Sequence, residues 1–401
     1  MSETHNIAII ELYHGGSHAR LTSLLTTLFL NSYHLKPNAK IPDPESPKEA
    51  SSAPSLFLLT LTDKKWHWRA RCGPLQLLPQ LDLLPRPIHT LFTSSVGSLP
   101  EILALCPDLN LSRKVLYFHE NQLVYPVRES KERDYQYGYN QILSALAADV
   151  VLFNSSYNMR SFLDNIHPFL NKMPDFKPKG ISDRIRSKCS VLHFPVEFPV
   201  CERQSRSDQP LHIIWPHRWE HDKNPEQFFE ALESLAASNC DFRVSVLGQC
   251  YGEIPAVFAD FRSSHPDKIL QWGPLESHSD YTTHLNTGDV VVSTAHHEFY
   301  GVAMLEGVAA GCFPLAPNRL SYPELYPGEC LFNTTPQLTK QLRQMCGRPE
   351  LARRKWEGVV RQVGLERFSW ESLRARYLSP PIWGSPGTSR RSHQRMEMRY
   401  V

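Results

Sequence analysis

At 401 residues, 41% hydrophobic, 10% aromatic and 21% charged, the chain has the make-up of a folded protein with room for two or three domains of about 150 residues each; collagen, coiled coil and disorder throughout are excluded. The formal net charge is +2, so no global field would hold the molecule on nucleic acid or anionic lipid, and any such contact must come from local patches. The nine cysteines are an odd number with no C-x-x-C spacing and read as reduced thiols; with no basic leader in the first thirty residues and no run near the ~18 apolar residues of a membrane span, the expected compartment is the cytosol, with nuclear access open.

Asn6 to Leu12 is a β-branched run of the kind found in buried parallel strands, and Gly15-Gly16 separates it from an apolar-periodic helix over His18 to Leu30. His34 to Ser55, rich in proline, serine and charge, is expected to be a disordered surface insertion. Strands are expected at Leu56 to Leu61, Ile88 to Thr93, Val115 to Phe118, Val150 to Phe153 and Val191 to Phe194, with helices at Pro100 to Cys106 and Gln141 to Ala148. Cys201 to Pro210 reads as a linker. A second set follows, with strands at Leu211 to Trp215, Phe242 to Leu247, Ile269 to Trp272, Asp289 to Ser293 and Cys312 to Ala316. Its helices are expected at Pro225 to Ala237, Ala256 to Ser263, Val302 to Ala310, Gln337 to Cys346 and Glu350 to Val363. Such alternation specifies an α/β fold of two Rossmann-like, doubly wound halves. The expected division is 1–203 and 204–365, then a helix over 366–378 returning to the first unit and a disordered tail over 379–401. Open parallel sheets take ligands at the carboxyl ends of their strands, so function is sought in the cleft between the halves.

Three segments carry candidate chemistry. In His296 to Glu306 (HHEFYGVAMLE), Glu298 lies on a strand-to-helix turn and Glu306 about two helical turns further, roughly 12 Å at ~1.5 Å per residue. The pair can touch two ends of one extended ligand, and the unpaired N–H groups of the intervening helix start suit a diphosphate. In Trp215 to Pro225 (WPHRWEHDKNP), Arg218 and Lys223 sit five residues apart on a strand-end loop, where a fork and a point charge can neutralise a diphosphate leaving group. Tyr13 to His18 (YHGGSH) places Gly15 and Gly16 where backbone amides can approach phosphate oxygens, although the full G-x-G-x-x-G of a dinucleotide site is missing. Taken singly, each segment has a plain structural reading: solvated glutamates on a packed helix, a solvated Arg–Lys pair, a structural glycine turn.

Taken together and in this order, these residues resemble the GT-B retaining glycosyltransferases of family 4, which use nucleotide sugars, and the resemblance covers about residues 5 to 378. ELYHGGSH, LYFHENQLVYP, PHRWEHDKNPEQF and HHEFYGVAMLE are more closely similar to the mannosyltransferases that act on queuosine in tRNA. That resemblance implies transfer of mannose from GDP-mannose to the cyclopentene diol of queuosine in the anticodon of tRNA for aspartate. It also implies that Glu298 binds hydroxyls of the donor sugar and Glu306 the ribose hydroxyls. Arg218 and Lys223 would hold the diphosphate, Gly16 would offer a backbone amide, and His119 would lie near donor sugar and acceptor. Phe299, Tyr300 and Gly301 complete the donor loop, though many relatives have a small residue or proline followed by phenylalanine and glycine there.

No D-x-D occurs in the chain, and no histidine lies in an H-E-x-x-H or beside a cysteine partner, so no metal is expected and fixed positive charge takes its place on the diphosphate. An RNA acceptor needs local basic and aromatic surface. Lys64 to Arg71 (KKWHWRAR), Arg160 to Lys188 and the tail arginines Arg390, Arg391, Arg395 and Arg399 qualify. Trp66 and Trp68 alternate as they would in a strand, which would make them core. Two rival readings are a transferase for a lipid or protein glycan, which calls for an amphipathic basic helix or membrane anchor not evident in the first half, and a non-catalytic binding protein, which the presence of Glu298, Glu306, Arg218 and Lys223 disfavours. Oligomeric state has no signature in the sequence.

Overall fold

A computed structural model describes residues 5–33, 36–37, 55–125, 135–198, 209–250 and 254–383. The first half comprises β1 (Ile7–His14), α1 (Gly16–Tyr33), β2 (Lys36–Pro37), β3 (Ser55–Thr62), α2 (Trp66–Asp82), β4 (Thr90–Ser94), α3 (Leu99–Leu105), β5 (Arg113–Phe118), α4 (Tyr135–Ala147), β6 (Val150–Phe153), α5 (Ser156–Leu170), α6 (Ile181–Arg186) and β7 (Cys189–Val191). The second comprises β8 (Leu211–Trp215), α7 (Pro225–Ala237), β9 (Phe242–Val246), α8 (Ala256–Ser264), β10 (Ile269–Trp272), α9 (His278–Leu285), β11 (Val290–Val292), α10 (Val302–Ala309), β12 (Phe313–Pro317), α11 (Tyr322–Leu325) and β13 (Leu331–Phe332). Four helices close the described chain: α12 (Thr335–Cys346), α13 (Pro349–Val363), α14 (Trp370–Tyr377) and α15 (Pro380–Trp383).

The strands form two parallel sheets, ordered β2-β3-β1-β4-β5-β6-β7 and β10-β9-β8-β11-β12-β13. Each order runs outward from its first long strand and then reverses, once between β1 and β4 and once between β8 and β11. Connections leave these paired strands on opposite faces, which opens a crevice at their carboxyl ends. Both strand types are apolar on each face because helices cover both: Ile7 and Ile9 of β1 enter one core cluster while Ala8, Ile10 and Leu12 enter the other.

The halves are tied along one seam. Glu324 of α11 accepts from the backbone N–H groups of Ser156 and Tyr157 at 3.2 and 3.0 Å, placing a carboxylate from the second half on the N-terminus of α5 in the first. The Ser155 hydroxyl donates to the Phe299 carbonyl at 2.5 Å, and the Tyr300 phenol to the Phe194 carbonyl at 2.8 Å. The chain then returns to the first sheet, where Tyr377 donates to the His193 carbonyl at 2.9 Å and the Trp383 ring meets Phe29 and Phe92, centroids 4.5 and 5.8 Å apart.

Several sequence expectations require correction. Trp66 and Trp68 lie in a helix, α2, so their two-residue spacing puts them on different sides of it; Trp68 is 59% exposed and is not core. Strand β7 ends at Val191, where the sequence suggested a start. The tail does not begin at 379: α15 continues the fold, and Ile382 and Trp383 are buried. Within the expected insertion, Lys36–Pro37 pairs with Ser55 and Leu56 as an edge strand. The rest of that insertion over 34–35 and 38–54, the linker over 201–208 and the tail from 384 lie outside the described residues.

Candidate active site in the cleft

The turn after β8 and the loop after β11 meet at the second crevice. The loop from Trp215 passes His217 and Arg218 and closes in a helical turn at His221–Lys223, with Asn224 held at φ 50° before Pro225 opens α7. Thr294, just beyond β11, pins this turn by donating to the carbonyls of Lys223 and Asn224 at 3.0 and 2.9 Å. The approach is close enough that Gly248, at φ +100°, has no room for a side chain: a Cβ there would lie 2.2 Å from the His217 carbonyl oxygen.

This geometry buries Lys223 between two carboxylates. Its Nζ lies 3.2 Å from Asp222 and 3.3 Å from Glu298 and donates to the His297 carbonyl at 2.9 Å. Burial works against charge on Lys223, but the two carboxylates outweigh it and its pKa is raised. Burial would likewise lift Glu298, yet the Lys223 ammonium, His217 and the Tyr300 backbone N–H hold its carboxyl at about 2. Both groups are therefore ionised over the whole physiological range. Beside them, burial and the Lys223 charge push the imidazoles of His217 and His297 down to about 3 and about 4. Each leaves a buried Nε2 without a hydrogen-bond partner, and such an atom calls for one.

Arg218 is less enclosed. Its side chain is 46% exposed, it lies 3.2 Å from Glu220, and it bonds the phenol of Tyr125, which comes from the opposite half. Tyr125 also packs on His297, with ring centroids 4.7 Å apart and the planes tilted by 56°. Glu120, on the same loop of the first half, is pushed upward by burial and partly drawn back by the charges of His18, Arg218 and Lys223. Both cations thus face residues across the gap.

Glu306 lies on α10, whose start is set by Gly301 at φ 93°. Burial raises its carboxyl to about 7, against the opposing pull of Arg20 and a hydrogen bond from Tyr281. Arg20, on α1 of the first half, approaches Glu306 at 3.8 Å and Glu197 at 3.3 Å. Gly15 and Gly16 form the turn into α1: a Cβ on Gly15 would strike Asp63 at 2.3 Å, and Gly16 takes φ +51°. The Tyr300 side chain is committed to the seam, against the Phe194 carbonyl, and the buried Phe299 ring packs edge-on against His297 at 4.3 Å, with Tyr157 of the first half at 6.1 Å. The donor loop can therefore offer its backbone at these positions, while the Tyr300 phenol is already spent.

In the first half, His119 follows β5 and packs on His18 with ring centroids 3.9 Å apart. His18 bonds Glu11 at 3.1 Å. Glu11, His18 and His119 are the one group among the described residues whose donor atoms, all within 4.8 Å, have the types and spacing for a metal ion. Residue patterns alone did not single out Glu11, His18, Arg20, Glu120, Tyr125, His217 or Asp222. All of these except Arg20 lie in the segments carrying the resemblance, but only folding gives them partners.

No helix of the described residues is long and apolar enough to cross a membrane. Residues 26–196 match the family model for the N-terminal part of tRNA-queuosine alpha-mannosyltransferase. Over 385 residues the chain is 44% identical to the tRNA-queuosine alpha-mannosyltransferase of Drosophila melanogaster, covering 93% of this chain and 95% of that protein. Among solved structures, a glycosyltransferase from Rickettsia africae aligns with TM-score 0.61 at 16% identity, covering 94% of this chain and 97% of that one. Sucrose-phosphate synthase from Thermosynechococcus elongatus aligns with TM-score 0.62 at 15% identity, over 93% and 97%. These distant likenesses bear on the fold, a GT-B arrangement of two α/β halves. The full-length relative bears on more: the chain is a glycosyltransferase and belongs to the tRNA-queuosine alpha-mannosyltransferase family.

Proposed function

We propose that the enzyme moves mannose from GDP-mannose to the cyclopentene diol of queuosine in the anticodon of tRNA for aspartate, with retention of anomeric configuration. The observation that carries the reading is the meeting of Arg218, Lys223 and Glu298 at the carboxyl ends of β8 and β11, facing Glu120, Tyr125 and His18 of the other half. A diphosphate entering there meets the positive charge of Lys223, ordered by its carboxylates, and the more exposed guanidinium of Arg218, and both oppose the negative charge that develops on it. The α10 N-terminus adds unpaired N–H groups. The buried nitrogens of His217 and His297 offer partners for sugar hydroxyls, with Glu298 accepting from others.

In the step, the bond from the anomeric carbon to the diphosphate oxygen breaks through an oxocarbenium-like state. The acceptor oxygen bonds that carbon from the same face, and the departing phosphate oxygen takes the acceptor proton. Glu306 and the diphosphate-side contacts hold the nucleotide, and no metal is assigned a role.

For the RNA, the topology separates the basic stretches. In a parallel sheet the helix following each strand starts at the strand carboxyl ends, so Lys64, Lys65 and Trp68 at the start of α2 share the rim with Gly16 and His119. All three are exposed. Lys172, Lys177 and Lys179 follow the end of α5, on the opposite rim, and Lys188 is spent on the carbonyls of Leu146 and Ala148. The tail arginines lie outside the described residues. The α2 start is therefore the acceptor contact we assign, with Trp68 available to stack on a base.

The test is incubation of purified chain with GDP-mannose and queuosine-containing tRNA, with UDP-sugars and tRNA lacking queuosine as controls, followed by mass analysis of digested nucleosides. A hexose gain on queuosine from GDP-mannose is expected. A gain only from UDP-sugars, or only on a lipid or protein acceptor, overturns the assignment.

A further inference from the structure

The first half contains a buried carboxylate to which the contacts proposed above for the donor assign no role. Glu11 lies inside β1 between Ile10 and Leu12, 1% exposed, where an unpaired charge would cost several kcal/mol. It is fully engaged: one oxygen accepts from the Tyr13 N–H and the Ser94 hydroxyl, both at 2.9 Å, and the other meets Nδ1 of His18 at 3.1 Å. The His18 ring in turn lies over His119, and His119 is held from its other sides by Tyr117 and Phe194 at 4.9 and 5.9 Å. No hydrogen bond to a ring nitrogen of His119 occurs among the described residues, although its carbonyl is bonded by Asn154 at 2.7 Å. The chain of contacts thus ends in an imidazole with free nitrogens at the cleft.

We propose that Glu11, His18 and His119 act as one unit, in which His18, anchored by Glu11, is a positioning residue that fixes His119 at the cleft for the hydroxyl groups of the sugar and acceptor. The inference rests on the assignment of this cleft to sugar transfer. Burial opposes charge on His18, but Glu11 and, from the loop after β5, Glu120 outweigh it, so His18 carries the proton more readily than a free histidine. Among the described residues, the rings facing it are those of His119 and, edge-on with centroids 6.1 Å apart, Tyr13. Burial and then the charge of His18 drive His119 well below the usual histidine range, so it presents a neutral ring. A shared metal is the competing arrangement for the same three residues. It fits less well, because Glu11 already accepts from the Tyr13 N–H and the Ser94 hydroxyl on one oxygen and meets His18 on the other, so a metal would have to displace the bond that orders His18.

Two measurements test the unit. In the transfer assay, His18→Ala is expected to lower kcat by about tenfold or more while donor KM changes by less than about threefold, and adding it to His119→Ala should cost nothing further. A full-length kcat in His18→Ala, or losses that multiply in the double variant, would overturn the proposal. Independently of turnover, NMR titration of labelled histidines is expected to show the His119 pKa rising in His18→Ala and the His18 pKa falling in Glu11→Gln. Unchanged values would overturn it, as would stoichiometric zinc shifting both ring signals together. If the intact protein transfers no mannose at all, the functional assignment fails while the titration still decides whether the unit exists.

Discussion

Lys223 and Arg218 both face the cleft, but they differ in how the fold holds them, and this separates stability from catalysis. Lys223 is buried between Asp222 and Glu298, so Lys223→Ala leaves two enclosed carboxylates without their cation; a loss of about 3–5 kcal/mol is expected by urea denaturation, together with loss of turnover. Arg218 is half exposed, and its pairing with Glu220 contributes under about 1 kcal/mol. Arg218→Ala should therefore leave the urea midpoint nearly unchanged and lower kcat by about 10²–10³-fold, the usual scale for removing one preorganised contact to developing charge. Intact turnover in that variant would remove Arg218 from the mechanism.

Glu306 supplies a pH dependence of opposite character to Glu298. Its folded carboxyl, lifted by burial to about 7, holds a proton over a range in which an unfolded glutamate has lost it. Its contribution to stability is thus greatest at low pH and falls as pH rises from the ordinary glutamate range through about 7. Ribose hydroxyls are better held by the ionised form, so donor affinity measured by calorimetry should strengthen as pH rises through about 7 and lose that dependence in Glu306→Gln. Glu298, held at about 2, has the reverse sign: its stabilisation is complete above the ordinary glutamate range and is lost only as pH falls toward 2.

Among the elements, β6, β8, α7 and β10 have the expected limits, because short, largely apolar strands bounded by polar residues and an amphipathic helix opened by proline mark themselves locally. Helix α2 was hidden because Pro74 and Pro79 lie inside it and read as breaks, while Trp66 and Trp68 mimic strand alternation. The same local logic brought Arg218, Lys223, Glu298 and Glu306 into view, as the first three sit on strand-end loops and Glu306 lies one turn inside the helix that follows. Arg20, Tyr125 and the Glu11–His18 pair act through partners distant in the chain, and no spacing rule reports such contacts. The α2 assignment has its own test. Arg69 is occupied by Thr62 and Gln76, so removing it would confound folding with RNA binding. Lys64→Ala with Trp68→Ala spares these contacts and should weaken tRNA affinity and flatten its salt dependence, leaving affinity for the donor unchanged; unaltered tRNA affinity would move the acceptor surface elsewhere.

Across the molecule, the two halves meet at a seam of specific polar contacts beside the cleft, and the chain's last described helices bind back to the first sheet. Trp383, 2% exposed against Phe29 and Phe92, is the anchor of that return, and the Ile382 and Trp383 carbonyls accept from Arg113 and Thr90. Its loss removes a buried aromatic beside the start of β4 and the end of α1, on the rim of the first sheet away from the strand carboxyl ends that face the cleft. Trp383→Ala should therefore destabilise by about 3–5 kcal/mol, read as a lower urea midpoint. At temperatures where the variant remains folded, donor affinity should be retained, because Arg218, Lys223, Glu298 and Glu306 all stand on loops and helices of the second half. Loss of donor binding by folded Trp383→Ala would show that the C-terminal return also sets how the two halves face each other, through α14 and its bond from Tyr377 to the His193 carbonyl beside the Tyr300 seam.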